Sequence, residues 1–201
     1  MRAPLLIFLL LLPAAPLEAQ WRLSLSAGSA ATSGHSRDTL DDEQPAILPD
    51  HPVDWTLALV RQHRAWRLGV DGHRVTSDLA IRGRSTTLVT RTALSAWGVG
   101  AELARRIASP MAGPQFWVAA GGVYERWSFD IAGGEARWRA AARGALQLDI
   151  PLVRHWSGMI RGEASLGSSL FRREELPEGY QRRAARRLGL QLGVTLADNR
   201  R

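Results

Sequence analysis

The chain has 201 residues, 26 basic and 19 acidic side chains, a net charge of +7, 19 glycines, 8 tryptophans and no cysteine, and every basic residue is Arg. That length suits one domain with a real core. The missing cysteines exclude a disulfide scaffold, a thiolate metal site and a redox dithiol, and 45% hydrophobic with 22% charged residues excludes a disordered chain.

Residues 1–19 read as a secretory signal peptide. Met1-Arg2 gives a positive start, Leu5 to Leu12 is an unbroken apolar run, and Pro13 to Ala19 supplies a helix break and small residues before Gln20. The run is too short to span a bilayer, which needs about 20 residues. Cleavage after Ala19 leaves residues 20–201 as one exported domain. Export argues against nucleic acid as the partner of the positive charge.

From Trp21 onward the pattern has period two, in eight segments. Trp21, Leu23, Leu25 and Ala27 alternate with Arg22, Ser24 and Ser26; Val53, Trp55, Leu57 and Leu59 alternate with Asp54 and Thr56; Trp66, Leu68 and Val70 alternate with Arg67, Gly69 and Asp71. Trp97, Val99, Ala101 and Leu103 oppose Gly98, Gly100 and Glu102, after a stretch from Leu88 to Ser95 whose phase suggests a bulge. Phe116, Val118, Ala120, Gly122 and Tyr124 oppose Trp117, Ala119, Gly121, Val123 and Glu125, the least clear of the set. Trp138, Ala140, Ala142, Gly144, Leu146 and Leu148 then oppose Arg139, Arg143, Gln147 and Asp149. Trp156, Ile160, Ala164 and Leu166 oppose Arg161 and Glu163, and Leu188, Leu190, Leu192, Val194 and Leu196 oppose Arg187, Gly189, Gln191 and Gly193. Alternation of this kind is a strand signature; a helix would scatter the same residues around its axis.

The connections alternate too. Long polar ones are expected at about Ala30 to Pro52, Thr76 to Thr86 and Arg172 to Arg182, with a shorter Gly-containing one at Ile131 to Glu135. Tight ones are expected at Gln62 to Ala65, Ser109 to Pro114 and Pro151 to His155. Long loops on one side and short turns on the other suit an antiparallel membrane barrel whose N-terminus starts from the periplasm. The expected fold is all-β: an eight-stranded antiparallel up-and-down transmembrane β-barrel.

Alternation alone does not say which face is inside. Aromatic rings near strand ends suggest two interfacial girdles, Trp21, Trp66, Trp117 (beside Phe116) and Trp156 at one end, and Trp55, Trp127, Phe129, Trp138 and Phe171 near the other. Trp97 reads as mid-strand. Arg on a lipid face near mid-membrane costs about 2–4 kcal/mol. The charged stripe is therefore expected to line the lumen and to pair there, as an ion network of Glu102, Glu125, Arg139, Arg143, Arg161, Glu163 and Arg187. An eight-stranded barrel has room only for side chains inside, so glycines among the charges fit, and solvent conduction is not expected.

With this combination the chain resembles the small outer-membrane β-barrel proteins of Gram-negative-type bacteria. The likeness is architectural, carried by the signal peptide, the eight alternating strands, the loop lengths and the aromatic belts. The last strand, Arg187 to Val194, fits the spacing of the family's insertion signal, a polar residue followed by glycine and alternating apolar positions; it lacks the terminal aromatic, and Ala197 to Arg201 follow it. The resemblance implies a monomer whose partners are outer-membrane lipids and, during insertion, the barrel-assembly machinery, with a structural or surface-interaction role and no cofactor.

Chemistry is sparse. His35 and His51 flank an acidic loop that lacks the spacing of a calcium site, so no metal is expected. His73 to Asp78 is the one place where a base, a hydroxyl (Ser77) and a carboxylate lie close, and it supports an alternative, lipid modification at the outer rim. The Arg pairs 105–106, 172–173, 182–183 and 186–187 fall near strand ends, where phosphates or water would meet them. A third alternative is a soluble periplasmic barrel with the leucines inside, holding an apolar ligand.

Overall fold

The structure, a computed structural model, describes residues 20–33, 46–82, 87–110, 113–129, 136–169 and 184–198. The export segment, the acidic loop around His35, Phe171 and the Arg172-Arg173 and Arg182-Arg183 pairs lie outside the described residues.

Eight antiparallel strands close into a ring in chain order: β1 (Gln20–Ser33), β2 (Ala46–His63), β3 (Trp66–Arg82), β4 (Thr87–Ala108), β5 (Gln115–Phe129), β6 (Arg137–Val153), β7 (Trp156–Gly167) and β8 (Ala185–Ala197). β1 pairs with β8 to complete it. Closure removes every sheet edge from the barrel wall, so its backbone groups are paired within the wall itself.

The register fixes the tilt. A row of paired residues runs Arg22, Val60, Gly69, Glu102, Gly121, Arg143, Ser165, Arg187 and returns to β1 at Thr32, ten residues above its start. Such stagger obliges the strands to lean by about 35–45°. It also makes every perpendicular row climb as it circles, which decides which side chains meet across the lumen.

Two features let the chain turn so tightly. Glycines sit inside where neighbouring strands close in: a Cβ on Gly121 would collide with the Ala101 carbonyl and Glu102 Cα, and one on Gly28 with the Leu190 carbonyl. The β2–β3 turn is only Arg64-Ala65, with Arg64 in the left-handed region at φ 52°. The β6–β7 turn, residues 154–155, is equally short.

At the other end the strands run further than the sequence suggests. β3 continues to Arg82 and β4 starts at Thr87, so the long third connection expected from Thr76 shrinks to residues 83–86. Leu79 with Thr90, Ala80 with Val89, Ile81 with Leu88 and Arg82 with Thr87 pair in register as a hairpin extension, whose β-branched and aliphatic residues suit a strand without the strict alternation seen lower in the wall. The ambiguous phase before Ser95 is a bulge: register shifts between Ser77 and Leu79, Thr92 takes φ 51°, and the Asp78 carboxylate accepts its N–H at 2.7 Å.

The faces sort cleanly. Leu23, Leu25, Leu57, Leu59, Leu68, Val99, Leu103, Leu146, Leu188, Leu190 and Leu192 are all exposed on the outer wall. Arg22, Asp54, Arg67, Asp71, Glu125, Arg143, Asp149 and Arg161 are buried within. The protein is inverted relative to a water-soluble barrel. A carrier with leucines lining its cavity is therefore not what this chain builds.

Candidate functional site

The lumen is a stack of layers. Nearest the short turns, Arg67 contacts Asp149 at 2.7 Å and Arg22 contacts it at 3.5 Å, while both arginines donate to the Gln62 side-chain oxygen Oε1, at 2.9 and 3.0 Å. Above them the Arg161 guanidinium binds Glu102 through both terminal nitrogens, at 3.0 and 2.6 Å, and reaches Glu163 at 3.2 Å. Arg143 is held on both oxygens of Asp71 and lies 3.4 Å from Glu102 and 3.8 Å from Glu163. Higher still, His73 stands between Asp71 (3.4 Å) and Glu125 (3.2 Å), Trp127 donates to Glu125 at 2.8 Å, and Arg139 lies 3.7 Å from the same carboxylate. Arg187 pairs with Asp54, which also accepts from Gln191 at 3.1 Å.

All seven residues expected in the ion network thus face the lumen and touch charged partners there. Six further members, Arg22, Asp54, Arg67, Asp71, His73 and Asp149, were on the same stripe by parity. What the sequence does not reveal is that a ten-residue stagger brings β3 against β6, as in Asp71 with Arg143, and β4 against β7, as in Glu102 with Arg161. An Arg fork suits such a site because it bridges several carboxylates at once.

Apolar clusters close both ends of this stack. Ala104, Trp117, Ala119 and Ala145 pack at the short-turn end; Val75, Leu79, Ala93, Leu94, Ala96, Trp127 and Ala185 pack at the other. Two voids within the stack measure about 40 Å³ and about 10 Å³, room for a few waters at roughly 10–15 Å³ each. A wider open cleft of about 800 Å³ between β1, β6, β7 and β8 reaches Arg143 and Arg187.

The aromatic expectations need two corrections, at Trp117 and Trp127. Trp21, Trp66 and Trp156 face outward at the short-turn end, with Phe116 beside them, and Trp55 and Trp138 face outward toward the long-loop end. Trp117 does not join them: it is 1% exposed and points into the lumen, where the Arg67 guanidinium lies 3.5 Å from its ring centroid. Its neighbour Phe116 takes the outward position, since adjacent strand residues cannot share a face. Trp127 is likewise buried inside. Trp97, read as mid-strand, is an outer-wall residue that meets Trp138 edge-on at 5.0 Å, and Trp138 stacks on Tyr124 at 4.8 Å.

The His73–Ser77–Asp78 grouping is not assembled. Both His73 ring nitrogens face lumen carboxylates, Ser77 donates to the Asp50 and Asp78 carbonyls, and the Asp78 carboxylate is committed to Thr92. Among the described residues no group of three or more His, Asp or Glu could hold a metal ion.

An eight-stranded, shear-ten ring with an apolar exterior and a salt-bridged interior is the fold of the small outer-membrane β-barrels. Solved structures bear this out. The chain superposes on Neisserial surface protein A (NspA) with a TM-score of 0.55 at 12% identity, covering 88% of this chain and 96% of that one. OprG from Pseudomonas aeruginosa gives a TM-score of 0.55 at 9% identity, covering 90% and 95%. The N-terminal β-barrel domain of Pseudomonas aeruginosa OprF gives 0.50 at 8%, covering 88% and 97%. No protein-family profile and no curated protein matches the chain.

Proposed function

We propose that this protein spans the outer membrane of a bacterium as a closed, non-catalytic barrel, exported by residues 1–19 and inserted as a monomer. One observation carries the reading: the outer wall between the girdles is wholly apolar or small, while every described carboxylate between them turns inward. In water such a wall would aggregate; in hydrocarbon it is the stable arrangement. The ion-paired filling of the lumen supports a structural or surface-interaction role over conduction. The last strand supplies the spacing that barrel-assembly machinery would read.

Fractionation and gel mobility test this. The protein should enter the outer-membrane fraction, migrate differently before and after boiling, and give no stable conductance in planar bilayers. Recovery as a soluble periplasmic protein with one mobility would refute it.

A further inference from the structure

One row on the outer wall differs from the rest of the belt. Register pairs Trp55 on β2 with Arg74 on β3, Arg74 with Trp97 on β4, Trp97 with Arg126 on β5, and Arg126 with Trp138 on β6. The row alternates Trp, Arg, Trp, Arg, Trp, and all five side chains are exposed. Arg74 lies eight residues beyond Trp66, and Arg126 ten beyond Phe116. At about 3.3 Å per residue and a lean of about 40° these offsets are roughly 20 and 25 Å along the axis, close to the height of an apolar band of about 25 Å. Both guanidiniums therefore stand at the far interface, on the long-loop side.

Neither has a described carboxylate to pair with. Asp54, Asp71, Glu102, Glu125, Asp149 and Glu163 are committed inside the lumen, Asp78 accepts from the Thr92 N–H, Asp50 lies against His51 at 3.0 Å, and Asp198 stands at the short-turn end beside Trp21. The girdle at the short-turn end is built differently: Arg61 lies 5.4 Å over Trp21 and Arg105 lies 5.4 Å over Trp66, each cation resting on its cross-strand partner ring. Arg74 and Arg126 do not stack on Trp55, Trp97 or Trp138; Trp97 and Trp138 instead engage one another, and Trp138 stacks on Tyr124.

The geometry points to a binding site for a glycolipid headgroup that carries two phosphates on a sugar core. Arg74 and Arg126 are two strands apart, so their backbones are separated by roughly 10 Å. Each fork takes one phosphate. Trp97 sits between them, braced edge-on by Trp138, and offers an apolar ring to the sugar that joins the phosphates, while acyl chains descend along Val99, Tyr124 and the leucines below. A phospholipid with one phosphate would satisfy one arginine only. This inference rests on the membrane-spanning reading.

The test uses the full-length protein in detergent and native mass spectrometry, titrated with diphosphoryl lipid A, its monophosphoryl form and phosphatidylglycerol. Wild type should prefer the diphosphoryl lipid, and Arg74→Gln with Arg126→Gln should weaken that binding by about tenfold or more and monophosphoryl binding by clearly less, so that the preference between the two is lost. Arg61→Gln with Arg105→Gln, equal in lost charge, should leave diphosphoryl binding within about twofold. Equal losses for both pairs, or equal affinity for all three lipids, would overturn the site. Folding is read first, from the heat-dependent gel shift of each variant in vesicles. A wild type that never enters vesicles would overturn the membrane reading and the site together; a well-inserted protein without lipid preference would overturn the site alone.

Discussion

Inside the barrel the guanidinium of Arg67 lies over the indole of Trp117, 3.5 Å from the ring centroid, and the same guanidinium reaches Asp149 at 2.7 Å. The cation is thus held by a π face and a carboxylate in one place, and the largest buried side chain of the lumen is clamped with it. Trp117→Ala removes the ring and leaves a void beneath Arg67. The expected cost is about 3–5 kcal/mol in unfolding from vesicles by urea. Trp66→Ala, on the outer wall, should cost clearly less.

The Arg143–Asp71 contact makes a sharper case, because it lies in the middle of the stack with Glu102 and Glu163 close by. Arg143→Met leaves Asp71 with His73 alone and takes a second cation from Glu102 and Glu163, which keep Arg161, and about 3–5 kcal/mol of stability should be lost. Adding Asp71→Asn should restore part of it, since a neutral amide no longer needs a buried counter-charge. Urea titrations of the two single variants and the double variant measure the coupling. Strict additivity would show that the two side chains do not interact.

Two glycines separate packing from composition. Gly121→Ala drives a Cβ into the Ala101 carbonyl and Glu102 Cα, both backbone, so the β4–β5 spacing must open and stability should fall. At Gly162 nothing lies within 4 Å of an added Cβ. Gly162→Ala should be neutral or stabilise by a few tenths up to about 1 kcal/mol. Refolding yield and urea midpoint report both.

His73 serves as a member of the lumen stack on this account, between Asp71 and Glu125. His73→Ala should lower stability while leaving the acyl pattern of the host's membrane lipids unchanged. Mass spectrometry of extracted lipids from cells overproducing each form is the check. A change in acylation that depends on His73 would revive the enzymatic alternative.

Much of the fold was legible because one physical demand repeats: each strand must show hydrocarbon a stripe of apolar side chains, so Leu188, Leu190, Leu192 and Val194 announce their face without any neighbour. β5 was harder. Ala119, Ala120, Gly121 and Gly122 are small on both faces, and the aromatic pair Phe116-Trp117 offers a ring to each; placing Trp117 in the girdle relied on its position at a strand end, whereas parity with Glu125 already set it inside. The stretch from Thr76 to Thr86 reads as loop because its sequence shows no clean alternation, although β3 in fact runs to Arg82 and β4 starts at Thr87. Which charges meet across the lumen was not legible, since parity gives the face of Asp71 and Arg143 but only the stagger of the closed ring gives their height.

The orientation of the wall is tested most directly by single cysteines, which the native chain lacks. Leu190→Cys and Gln191→Cys, each carrying a nitroxide label in lipid vesicles, should differ sharply: the label at 190 relaxed by oxygen dissolved in hydrocarbon and shielded from a water-soluble nickel chelate, the label at 191 reached poorly by either. Nickel-chelate contact at 191 with a shielded, immobile label at 190 would mean that the leucines lie inside and the arginines out.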